Sequence, residues 1–83
     1  MRKATKFSRR TFGSAVRDER QKLGLSQEDF AERANVHRTY ISSIELGKVS
    51  VGIEVAYELA SALGLRFSEL VRLAEPLGWL RLS

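Results

Sequence analysis

In the stretch LSQEDFAERANVHRTYISSIELGK, Leu25–Lys48, the residues Arg38, Thr39, Tyr40, Ser42 and Ser43 surround Ile41 and Ile44. Helical spacing turns the two isoleucines to one side and leaves Arg38, Thr39, Ser42 and Ser43 on the other. That outer face carries short hydroxyls and a guanidinium, with no acid before Glu45. Arginine can donate two bonds to guanine O6 and N7. Serine and threonine pair with several base edges, and a threonine methyl can meet that of thymine. The chemistry suits a helix lying in a DNA groove. The plain alternative is the solvated face of a helical hairpin.

The elements that must position this helix are all helical in period. Ser8 can cap a helix reaching about Leu23, with Phe12, Val16 and Leu23 on one face and Gly24 as its stop. Ser26 starts a second, two-turn helix. SQED places a hydroxyl at the cap and Asp29 three residues on, close to a capping box, and Gln27, Glu28 and Asp29 fill the first turn. Phe30, Ala31 and Ala34 make its inward face. Asn35 tolerates a left-handed turn and Val36 pins it. The third helix covers about 37–46, ending at Gly47.

A fourth helix is expected over about 53–63, with Val55, Ala56, Leu59, Ala60 and Leu63 inward. A fifth follows over about 67–74 and is stopped by Pro76. No stretch alternates as a strand would. The expected fold is all-α, a compact domain of five short helices. A basic arm at 1–8 precedes the domain at 9–74, and an apolar tail at 75–83 follows it.

Helix two, the Asn35–Val36 turn and helix three make a helix-turn-helix. Ala31 is small where crossing helices approach, and Phe30, Val36, Ile41 and Ile44 interlock them. Arg20 falls on the inward stripe of helix one, and a buried guanidinium needs an anion. Glu45, beside Ile44, is the expected partner, and the Arg20–Glu45 ion pair would fix helix three against helix one.

Bulk properties narrow the function. The 83 residues suit one small domain, and 43% hydrophobic content is ordinary for a folded chain. The absence of cysteine removes disulfides, thiolate chemistry and cysteine-based zinc sites. No apolar run is long enough to cross a membrane, and the basic start lacks the apolar segment of a signal peptide, so the expected compartment is the cytoplasm. The net charge of +4 is concentrated at the front. Residues 1–22 hold eight basic and two acidic side chains, a local +6, against −2 for the remainder. Such a front suits a polyanion.

VRDERQKLGLSQEDFAERA, ISSIELGK and LASALGLRFSEL occur here in order, between about Phe12 and Leu70. By these stretches the chain resembles the Cro/C1-type (XRE) helix-turn-helix DNA-binding domains, which are lambda-repressor-like in fold. RTYISSIE is similar to the recognition helix of restriction–modification controller proteins. The resemblance implies base contacts from Arg38, Thr39 and Ser42. It implies DNA-backbone contacts from Gln27, Tyr40, Ser43 and Lys48, with helix two's N-terminal N–H groups assisting. It agrees with an arginine of helix one bridging to Glu45. Two positions depart from the family. His37 stands where the controllers carry a capping acid, so it caps less well or touches phosphate itself, a role weighted above a metal site. Asn35 replaces the usual glycine.

Helix-turn-helix proteins usually bind palindromic half-sites as two-fold dimers, roughly 34 Å apart. A homodimer surface is therefore expected away from helix three. Phe67, Leu70, Leu73, Leu77, Trp79 and Leu80 are its candidates, and Val71 and the stretch before helix four could join them. The alternative is that Trp79 and Leu80 complete the monomer core. The leading reading is a transcriptional regulator on double-stranded DNA, without cofactor, that blocks or recruits RNA polymerase. An antitoxin-like module that neutralises a partner through its tail is the alternative. An enzyme is disfavoured by a lone histidine and the lack of a phosphate-cradling glycine loop.

Overall fold

In the computed structural model, which describes residues 6–76, all regular structure is helical: α1 Arg9–Lys22, α2 Gln27–Ala34, α3 Arg38–Glu45, α4 Ile53–Ala62 and α5 Phe67–Ala74. Several of the helix ends have a local cause. Ser8 caps α1 by accepting from the Thr11 N–H, and the Thr11 hydroxyl oxygen accepts from the Ser8 N–H at 3.0 Å. This reciprocal box uses threonine where glutamate is usual. Ser26 caps α2, its Oγ accepting from the Asp29 N–H at 2.9 Å. The reciprocal bond expected from Asp29 is not made, because its side chain is one methylene shorter than glutamate.

Asn35 ends α2 at φ 59°, ψ 44°, the left-handed conformation expected of it. The Val36 N–H then donates to the Ala31 carbonyl at 3.0 Å and closes the turn into α3. Before Pro76, Glu75 is extended (ψ 138°) and α5 cannot continue.

The apolar stripes converge on one core. Val16, Phe30, Ile41, Ile44, Leu59 and Leu70 are its largest fully enclosed side chains. Every helix contributes at least one of them, so the five helices share a single core. α1 packs on both α3 and α5, while α2 packs on α3 and α4. Leu23 departs from the inward face expected of it and is half exposed. Leu23 is the C-cap of α1, still in the helical conformation but at its open end, and Arg20 occupies the buried end of the stripe.

Glycine at one position is required by packing. Gly13 sits where α1 crosses α3, and a Cβ there would collide with the Ile44 carbonyl oxygen. The two backbones are therefore nearly in contact, which sets how deeply α3 is seated. No helix among the described residues is long and apolar enough to cross a membrane.

Candidate nucleic-acid interface

The position of α3 depends on a polar seam at its C-terminal end. Arg20 Nε donates to Glu45 Oε2 at 2.6 Å and Nη2 donates to Oε1 at 3.0 Å, a two-pronged pair. Arg20 Nη1 donates to the Leu25 carbonyl at 2.7 Å, and Gln27 Nε2 donates to Glu45 Oε1 at 3.1 Å. The Glu45 and Arg20 side chains are only 3% and 10% exposed. The Arg20–Glu45 pair thus ties together α1, the α1–α2 turn, the start of α2 and the end of α3. No buried side-chain nitrogen or oxygen among the described residues lacks a partner. An ion pair this enclosed earns little net stability, because desolvation offsets the Coulomb attraction. Its consequence here is geometric: α3 is held in one orientation relative to α2.

With Glu45 turned inward, the outer face of α3 is free of acid. Arg38 and Thr39 are exposed, and Ser42 and Ser43 are partly so. They share that face with Leu46, an apolar side chain 61% exposed at the helix exit. The sequence places Leu46 at the last position of the expected third helix, about 37–46. Its spacing from Thr39 and Ser42 was the signal that could have placed it outward. Lys48 follows, exposed, its N–H donating to the Ser43 carbonyl at 3.0 Å as the chain turns away.

Other site residues divide by surroundings. Tyr40 is half buried with its ring against the core. Gln27 is half buried and engaged to Glu45 through one amide hydrogen, leaving the second for another acceptor. His37 is exposed at the N-cap of α3 and makes no side-chain cap bond. The first N–H groups of α3 are accordingly uncapped, and the positive end of its dipole faces outward beside Arg38.

Of the residues expected at a dimer surface, the described ones, Phe67, Leu70 and Leu73, do not share one exposed face. Leu70 is fully buried and belongs to the core, which corrects its place in that set: it lies on the face of α5 that packs inward. Phe67 lies beside α4, with its ring centroid 6.5 Å from that of Tyr57. Leu73 lines separate concavities near Lys22 and Arg66. Leu77, Trp79 and Leu80 lie outside the described residues. The structure adds Ile53 and Tyr57, one turn apart on α4, which are 72% and 56% exposed. Ile53, Phe67, Val71, Val51 and Phe7 line a groove of about 260 Å³.

The helix-turn-helix family HTH_3 matches residues 16–78. Control protein C.MunI of Mycoplasma sp is 42% identical over 60 residues, spanning 71% of this chain and 81% of that protein. Control protein C.BamHI of Bacillus amyloliquefaciens is 39% identical over 61 residues, 72% of this chain and 75% of that protein. The crystal structure of the restriction-modification controller protein C.AhdI from Aeromonas hydrophila superposes with a TM-score of 0.73 at 34% identity, covering 75% of this chain and 94% of that one. The five helices, the α2–turn–α3 geometry and these likenesses agree: the chain belongs to the HTH_3 helix-turn-helix family of transcriptional regulators, with Cro/C1-type architecture and a likeness to the controller proteins.

Proposed function

We propose that the protein is a sequence-specific regulator that occupies a palindromic operator as a homodimer, with α3 as its recognition helix. The observation that carries this is the acid-free outer face of α3, held in place by the buried Arg20–Glu45 pair. Arg38, Thr39 and Ser42 read base edges from that face. Gln27, His37, Tyr40, Ser43 and Lys48 contact the DNA backbone. Gln27 does so with its second amide hydrogen and the N–H groups at the start of α2. RNA polymerase is blocked or recruited according to where the operator lies. The likeness to C.MunI and C.BamHI supports a controller type of regulator.

A second copy joins through the exposed α4–α5 face, where Ile53, Tyr57 and Phe67 leave more apolar surface than a solvated monomer needs. Selection from a pool of random duplexes tests the reading. A palindromic consensus with half-sites about one helical turn apart is expected. Binding with no consensus would overturn it. Ile53→Ser should shift sedimentation toward the monomer, and an unchanged profile would remove this dimer face.

A further inference from the structure

α1 carries a second basic feature, distinct from the residues of the recognition helix. Arg10, Gly13, Arg17 and Arg20 recur at helical spacing and form one row along α1. That row crosses the C-terminal end of α3. The backbone of Arg10 lies against Gly47, just past the end of α3, at the close approach that a Cβ on Gly47 would tighten to 3.0 Å from the Arg10 Cα. Gly13 meets Ile44, and Arg20 holds Glu45. Gly13 and Arg20 are buried in the seam, while Arg10 and Arg17 remain exposed at its edge. Neither has an ion-pair partner among the described residues.

The charges of α1 are segregated. Asp18 and Glu19 lie toward α5, lining a concavity with Lys22 and Leu73, and Glu19 bonds Lys22 at 3.0 Å. The α3 side of the helix carries Arg10 and Arg17 with no acid between them. The first turn also runs against the helix dipole, which favours acids there: it holds Arg9 and Arg10 and no acid. A local rule broken in this way is expected where a functional contact compensates.

From this placement we infer that Arg10 and Arg17 form a phosphate-binding strip on α1, continuous with Lys48. The strip grips the DNA backbone beside the groove that α3 enters. The inference rests on the DNA-binding reading and adds a surface to it. The strip reads no bases, so it raises affinity for every sequence alike and sharpens the salt dependence.

The test is the dependence of affinity on salt, measured on the operator and on a scrambled duplex. Each lost phosphate contact makes the log–log slope shallower by about 0.9. The double variant R10A/R17A should therefore be shallower by about 1.8, weakening both duplexes by the same factor and leaving the operator preference intact. R10K/R17K, which keeps the charges, should restore the slope. Ser14, four residues after Arg10 and three before Arg17, flanks both on the exposed side of the helix. S14K should steepen the slope by about 0.9, and it tests the strip even where the alanine variants fold poorly. Unchanged slopes in R10A/R17A and in S14K would overturn the inference and leave Arg10 as a counter-charge to the C-terminal end of α3. A wild-type protein that binds neither duplex would show a different pattern and remove the DNA-binding reading along with the strip.

Discussion

The two ends of α3 are built on opposite principles. At its C-terminal end, Glu45 accepts three hydrogen bonds and Gly13 brings the α1 backbone into contact. At its N-terminal end, His37 offers no cap bond and Arg38 and Thr39 face solvent. Long-range contacts thus anchor one end, while the other keeps unsatisfied backbone N–H groups and free side chains. A helix that reads another molecule needs this division. Orientation must be set by the protein, and donors must be left over for the ligand.

Breaking the anchored end should have the largest effect. Glu45→Ala leaves the Arg20 guanidinium buried without its carboxylate and should reduce stability by about 3–5 kcal/mol, read by chemical denaturation. DNA binding should fall with it, since α3 loses its fixed orientation. Gly13→Ala attacks the same end through packing alone. Pushing α1 off the Ile44 carbonyl should lower stability by about 1–3 kcal/mol. A neutral result would mean that the two helices separate freely and that Gly13 does not seat α3.

Changes at the free end should affect recognition and spare the fold. Arg38→Ala should weaken operator binding by about 1–3 kcal/mol and relax preference at one base pair, with the unfolding midpoint unchanged. If it weakens all sequences equally, Arg38 contacts the backbone and does not read bases. The smallest effect is expected from His37→Ser. A hydroxyl at the N-cap should raise thermal stability by roughly 0.5–1 kcal/mol. That gain would sharpen the contrast, because it would show that the wild-type sequence leaves the reading end of α3 less stable than it could be. No gain would indicate that the N–H groups of α3 are already satisfied by water.

Much of this arrangement is legible along the chain because its causes are local. Ser8, Ser26, Asn35 and Gly47 each act on their own turn, so helix order and boundaries follow from cap and turn chemistry. The Arg20–Glu45 pair spans 25 residues, yet it can be reasoned out: a cation on an inward stripe requires an anion, and only a residue beside Ile44 supplies one at the inner end of α3. The outer face of α3 follows once Ile41 and Ile44 are assigned inward.

The remainder was decided by how the helices meet. Periodicity marks an apolar stripe on α5 but does not say which of its residues another helix covers, so Leu70 became core while Leu73 stayed half exposed. Ile53 and Tyr57 look like ordinary helix residues until the packing of α4 leaves them uncovered beside Phe67. A glycine inside α1 is only a weak local signal until α3 is laid across it. The sequence by itself determined five helices, the caps at Ser8 and Ser26, the buried ion pair and an acid-free face on α3, because each depends on neighbours within a few turns or on one compulsory charge partner. Only the tertiary structure decided the close approach at Gly13, the contact between Arg10 and Gly47 and the uncovered face of α4–α5, because these depend on crossing geometry between segments far apart in the chain.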